Sequence, residues 1–227
     1  MAVKMDKYTY ISLFSSAGVG CYGFKAEGFE CVATNELLEK RIQIQKYNRK
    51  CKYDSGYITG DITLNETKQA IFSQIDLWKK QEKIKEIDVL VATPPCQGMS
   101  VANHKKKDEL SRNSLIVESI MMTIQIKPRY FIYENVRAFL KTICRTPNGK
   151  DVLIGQFIDE TLAGSYNILK KVINFKDYGS NSSRTRTLIV GIRKDIQSHT
   201  PFDIFPKKSQ EKTLKDVIGD LPPLSEM

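Results

Sequence analysis

Two consecutive prolines, Pro94 and Pro95, close the apolar run Ile87-Asp88-Val89-Leu90-Val91-Ala92 and limit what the chain around them can become. Neither proline has an N–H to give to a sheet ladder, and each drives its predecessor out of the helical region. The run is short, continuous and aliphatic, which predicts a buried strand. Cys96 is then delivered at the carboxyl end of that strand on a stiff turn, followed by the polar stretch Gln97-Gly98-Met99-Ser100. Ligands of open α/β sheets bind at that edge. A free thiol has a pKa of about 8.5, so modest electrostatic help turns it into a nucleophile. An arbitrary buried cysteine is a small hydrophobe; the strand end, the prolines and the polar residues after them favour a reactive thiol here.

Other strand ends carry chemistry of their own. Tyr8 to Phe14 reads as a strand running into Ser15-Ser16-Ala17-Gly18-Val19-Gly20 and then a helix. Glycine lets the chain turn sharply and lets a ligand approach the backbone. Glu36 follows a second strand, Glu30 to Asn35, and an acidic residue there accepts hydrogen bonds from the ribose hydroxyls of a nucleoside cofactor. Leu37 to Asn48 reads as a helix, and Gly56 to Ile62 as a short third strand with a turn. On the residues alone, Asp61 is a helix cap or first-turn residue. Asn65 to Lys85 is an amphipathic helix with Ile71, Ile75 and Trp78 on one stripe and a solvated lysine face. Gly98 to Leu110 is polar and unpatterned, as binding loops are.

Asn113 to Lys127 is helical and is closed by Pro128; Asn113 reads equally as a cap and Leu115 as a core residue. Arg129 to Tyr133 is a further buried strand, ending in Glu134-Asn135-Val136. Asp151 to Gly164 reads as a helix, Asn167 to Phe175 and Thr187 to Ile192 as strands, and Thr213 to Leu224 as a final helix. Between the last two strands lies the polar run Ser180 to Ser183, closed by Arg184 and Arg186.

Pro94-Pro95-Cys96-Gln97 resembles the catalytic motif of the cytosine-C5 DNA methyltransferases, and further stretches match that family in order. Phe14 to Gly20 resembles its first motif, with one residue more between the ring and the first glycine. The resemblance implies that Phe14, Ser16, Ala17, Gly18, Gly20 and Pro94 bind S-adenosyl-L-methionine, with Glu36 on its ribose. It likewise implies Asp61 and Ile62 at the adenine, and Asn113 and Leu115 also at the cofactor. Glu134-Asn135-Val136 matches the sixth motif. Ser182-Arg184-Arg186 resembles Gln-x-Arg-x-Arg, with serine in place of glutamine. Catalysis is thereby assigned to Cys96, Glu134, Arg184 and Arg186: the thiolate adds to cytosine C6, Glu134 protonates N3, Arg186 reaches the base and Arg184 orders the site. The target carbon lies inside a duplex, so the nucleotide is flipped out.

The implied fold is α/β, a Rossmann-like S-adenosylmethionine-dependent methyltransferase with a mixed, mostly parallel sheet flanked by helices. One catalytic and cofactor-binding domain is expected over residues 1–227. The family's target-recognition domain and final motifs are not matched, so the chain is expected to be the catalytic half of a split or truncated enzyme, with DNA and a second polypeptide carrying recognition as the expected partners. Two rivals stay open: a tRNA cytosine-C5 enzyme with the same thiol chemistry, and an inactive binding module. A surplus of 35 Lys+Arg over 26 Asp+Glu, net +9, favours a polyanionic partner, with Lys105-Lys106-Lys107 close beyond Cys96. Five cysteines without a C-x-x-C pair and two histidines suggest neither a disulfide framework nor a metal site. No run has membrane-span length and no signal-peptide core is present, so the expected location is the cytoplasm.

Overall fold

The computed structural model describes residues 7–95, 113 and 115–222. Nine strands and six helices follow one another along them. The strands are β1 (Thr9–Leu13), β2 (Glu30–Glu36), β3 (Tyr57–Thr59), β4 (Val89–Ala92), β5 (Tyr130–Val136), β6 (Ile143–Arg145), β7 (Asp151–Leu153), β8 (Tyr166–Asn174) and β9 (Thr185–Arg193). The helices are α1 (Tyr22–Ala26), α2 (Glu39–Tyr47), α3 (Asn65–Gln81), α4 (Leu115–Ile126), α5 (Ile154–Leu162) and α6 (Leu214–Ile218).

Seven strands form one sheet in the order β3-β2-β1-β4-β5-β9-β8. The first five run parallel, while β9 pairs antiparallel with both β5 and β8. This is the mostly parallel α/β sheet expected from the sequence. Strand order reverses at β1, which lies between β2 and β4, and such a switch point opens a crevice at the carboxyl edge.

Both faces of the parallel strands are covered, which is why they read as continuous apolar runs. Ile11, Leu13, Leu90, Ala92, Phe131 and Tyr133 point into the larger core with Ile71, Ile75 and Trp78 of α3, Ile116 and Ile120 of α4, and Phe157 and Ile158 of α5. The alternate residues Tyr10, Val89 and Val91 face a smaller core with Cys21, Cys31 and Cys51. At the amino edge, Asp88 accepts hydrogen bonds from the Thr9 N–H at 2.8 Å and from Arg129 Nη1 at 3.0 Å, which pins β1, β4 and β5 at a common level.

Several elements differ from the sequence expectation. The expected helix from Asp151 begins only at Ile154, because Asp151–Leu153 pairs with Ile143–Arg145 as a hairpin. Its turn is Thr146-Pro147-Asn148-Gly149, closed by the Gly149 N–H on the Thr146 carbonyl at 2.9 Å. The helix after Gly20 is one short turn of five residues, entered through a 3-10 turn. Helix α2 starts at Glu39 because Leu38 is extended. Strand β5 runs on through Glu134, Asn135 and Val136, since β9 supplies antiparallel partners for all three. The final helix is confined to Leu214–Ile218, capped by Thr213 and Asp216, with no buried residue.

Gly191 in β9 lies opposite Phe131 in β5. A Cβ at Gly191 would sit 2.0–2.6 Å from three atoms of the fully buried Phe131 ring. Overpacking of this kind costs about 1–3 kcal/mol. Gly191→Ala is therefore expected to lower the unfolding free energy by that much, read as a lower urea midpoint, and an unchanged midpoint would show that the ring has room to move.

Candidate active site

The carboxyl ends of β1, β2, β4 and β5 surround a cleft of about 720 Å³. That volume falls within the range of small-molecule sites. Phe14, Ser16, Glu36, Asp61, Ile62, Pro94, Leu115, Glu134, Arg184 and Arg186 all line it. Residues singled out at well separated points of the sequence thus meet around one space.

One wall is built at the ends of β1 and β2. Glu36 closes β2 and is only 5% exposed. Its Oε2 accepts the Ser16 N–H at 2.8 Å, while Oε1 accepts the Leu38 N–H at 3.2 Å and Arg41 Nη1 at 3.1 Å. Both Phe14 (φ 55°) and Ser16 (φ 49°) adopt the left-handed conformation. Such backbone costs of order 1–3 kcal/mol per residue and persists only where surroundings enforce it. Asp61 is not a helix cap: its Oδ1 takes the Thr63 N–H and hydroxyl, both at 2.9 Å, in a local turn, and Leu64 stands at the cap position of α3.

The opposite wall comes from β5 and β9. Their register sets Val136 opposite Arg186 and Glu134 opposite Leu188, so Glu134 and Arg186 are diagonal neighbours on one face. Arg186 Nε lies 2.9 Å from Glu134 Oε1. Burial pushes the Glu134 carboxyl above its ordinary value, against the downward pull of Arg186 and Arg184. Between the walls stand Pro94 and Pro95. Asn135 Nδ2 donates to the Pro94 carbonyl at 2.9 Å, and Thr93 Oγ1 donates to the Phe14 carbonyl at 3.1 Å. These two bonds fasten the proline turn to both walls.

Not every expected residue faces this cleft. Ala17 and Gly18 line a separate, smaller cavity of about 220 Å³ behind the turn, with Tyr10, Cys21 and Lys50, and Gly20 borders neither space. The extra residue in the turn carries Ser16, rather than the first glycine, to the cleft. Asn113 is buried just before α4, outside the cleft lining, and its Oδ1 has no hydrogen-bond partner among the described residues. Cys96 and Ser182 differ in standing: Ser182 is exposed beside the arginines, whereas Cys96 and Lys105 to Lys107 lie outside the described residues.

Sequence reasoning missed Leu37, Leu38, Arg41, Thr93 and Asn135 in the lining. Leu37 and Leu38 stay 62% and 49% exposed beside Glu36, an apolar shelf that an aromatic ligand would cover. Both leucines are expected from the sequence inside the helix from Leu37 to Asn48; they stand free of it because α2 starts only at Glu39.

A sheet of this order with its crevice at the β1 switch point defines the class of nucleotide-type α/β folds. The chain belongs to the C-5 cytosine-specific DNA methylase family, whose model matches residues 8–226. It is 31% identical over 217 residues to the Type II methyltransferase M1.HgaI of Avibacterium volantium, covering 93% of this chain and 56% of that protein. It is 28% identical over 215 residues to M.XorII of Xanthomonas oryzae pv. oryzae, covering 93% and 46%. The chain therefore spans about half the length of these curated relatives. The fold is similar to that of the S. pombe Dnmt2 methyltransferase, with a TM-score of 0.61 at 14% identity over 97% of this chain and 62% of that one. Among the described residues, no helix is long and apolar enough to cross a membrane.

The raised Glu134 carboxyl has a consequence for stability. Between the ordinary glutamate value of 4.5 and its raised value, the folded state holds a proton that the unfolded state has lost. Stability must then fall as pH rises through that window. Urea melts from acid to neutral pH should show wild type losing stability relative to Glu134→Gln across it; parallel curves would contradict the shift.

Proposed function

We propose that this chain transfers a methyl group from S-adenosyl-L-methionine to C5 of cytosine in DNA, by way of a covalent adduct with Cys96. The observation that carries the reading is the single cleft in which the Glu36 wall faces the Glu134–Arg186 pair across Pro94 and Pro95.

The residues present fit the cofactor. Glu36 and Asp61 offer carboxylates to hydroxyl and amino groups, and Leu37, Leu38 and Ile62 offer apolar cover. S-adenosyl-L-methionine supplies, when bound, a methyl group on a sulfonium. Cys96 adds through its sulfur to C6 of the flipped cytosine, which raises electron density at C5. Glu134 delivers a proton to N3, a task that suits a carboxyl whose affinity for protons is raised by burial. Arg186 donates from the same face toward the base and, with Arg184, orients Glu134. C5 takes the methyl group; loss of the C5 proton to solvent then expels the Cys96 thiolate, and N3 returns its proton to the Glu134 carboxylate.

DNA is the substrate favoured by the family, and the net charge of +9 suits a polyanion. A second polypeptide carrying target recognition belongs to the same proposal; the exposed Leu214 and Leu221 near the last described residues support it. Cytoplasmic location is the corresponding expectation.

The test is transfer of labelled methyl to mixed-sequence DNA and to tRNA, by the chain alone and with the C-terminal half of a Type II relative added. Label on DNA cytosine C5 is expected, abolished in Cys96→Ala and reduced by about 10²–10⁴ in Glu134→Gln. Substantial transfer by Cys96→Ala would overturn the mechanism, and label on tRNA alone would overturn the substrate. Calorimetry should show Glu36→Ala weakening cofactor binding by about 1–3 kcal/mol, since its partners are left unpaired; unchanged affinity would remove Glu36 from the site.

A further inference from the structure

The Ser15–Ser16 turn is strained, and Glu36 reaches only one side of it. The other side is met by Gln45, which projects from α2 and is fully buried. Its Nε2 donates to the Ser15 hydroxyl at 2.8 Å and to the Ser16 carbonyl at 2.6 Å. Its Oε1 accepts from the Thr34 hydroxyl at 2.7 Å, and Lys50 Nζ donates to that same hydroxyl at 3.0 Å. Ser15 in turn donates to the Asn35 carbonyl at 3.1 Å.

The direction of every bond in this chain is fixed by chemistry. A lysine ammonium only donates, so the Thr34 oxygen accepts from Lys50 and its hydrogen goes to Gln45 Oε1. A carbonyl only accepts, so the amide nitrogen of Gln45 faces Ser16 and a flipped amide would set two oxygens against each other. Donation therefore runs one way, from Lys50 through Thr34 and Gln45 into the turn. The Ser16 residue is clamped at both ends, its N–H by Glu36 at 2.8 Å and its carbonyl by Gln45. The stem of Gln45 fills the space beneath Gly18, where a Cβ would lie 3.0 Å from Gln45 Cγ.

We propose that Gln45, oriented by Thr34 and Lys50, is a positioning residue that holds the left-handed Ser16 turn in its cofactor-receiving conformation. The inference rests on the reading of the cleft as a cofactor site, and it concerns a residue that touches no ligand itself. Pre-forming the turn spares the ligand the cost of ordering it, so the benefit appears in affinity rather than in the chemical step.

Gln45→Met keeps the length and volume of the side chain and removes its hydrogen bonds. The control is Gln74→Met, on α3: Gln74 is also buried, and its Oε1 accepts from Ser55 at 2.7 Å rather than from any residue of the turn. Hydrogen exchange of the protein without ligand is measured by mass spectrometry over residues 14–20. S-adenosyl-L-methionine affinity is measured by calorimetry, and turnover at saturating cofactor. In Gln45→Met, exchange in the turn should quicken and the dissociation constant rise, each by about tenfold or more, with saturated turnover within about threefold of wild type. Gln74→Met should alter neither exchange in the turn nor affinity, whatever its loss of thermal stability. Unchanged exchange and affinity in Gln45→Met, or equal changes in both variants, would overturn the proposal. Failure of wild type to bind the cofactor would instead overturn the functional reading, while the exchange comparison would still decide whether Gln45 holds the turn.

Discussion

The hydrogen bond from Asn135 Nδ2 to the Pro94 carbonyl, 2.9 Å long and buried, is the joint on which the site depends. A proline turn leaves the sheet with carbonyls that no neighbouring strand can pair, because the ladder has ended. Asn135 supplies the missing donor from the adjacent strand. Its own Oδ1 takes the Val136 N–H at 2.8 Å, which locks the side chain across the strand end. With Thr93 bonded to the Phe14 carbonyl on the other side, the ends of β1, β4 and β5 become one unit. Two walls that come from distant parts of the chain then hold a fixed separation.

The walls use carboxylates in opposite ways. Glu36 takes donors on both oxygens, from Ser16, Leu38 and Arg41, which fix it at the end of β2 as an acceptor with a lone pair of Oε2 to spare. Glu134 has the arginine pair against it but enough burial to bring its proton affinity up. Environment rather than residue type thus divides their roles. Arg41 sharpens the contrast, since it pairs with Glu36 at 3.1 Å and offsets the charge on that wall.

Much of this was legible in the sequence. The strand before Pro94, the Glu36 strand end and the Glu134-Asn135-Val136 run are local patterns, and apolar continuity followed by polar residues marks a buried strand emerging at an edge. The Arg186–Glu134 pairing was approached through motif resemblance, but its geometry is a matter of β5–β9 register, which no local pattern encodes. Ala17 and Gly18 line the neighbouring cavity rather than the cleft, and glycine-rich spacing does not encode which side of a turn a residue faces. The β6–β7 hairpin was missed although Pro147-Asn148-Gly149 is a turn signal, since the apolar residues after it also fit a helix. Gln45 was invisible as a buried polar anchor: a glutamine in a polar helical segment looks like surface until tertiary packing buries it.

The central claim is that the Asn135 joint sets the proline turn, after which Cys96 follows in the sequence, against the Glu134 wall. It is tested most directly by the rate at which the protein forms a denaturant-resistant adduct with DNA containing 5-fluorocytosine, read by intact-mass spectrometry for wild type and Asn135→Ala. The account predicts adduct formation slowed by about tenfold or more in the variant, since a small misplacement of reacting groups is costly, with cofactor affinity little changed. Equal rates of adduct formation in the two proteins would contradict it.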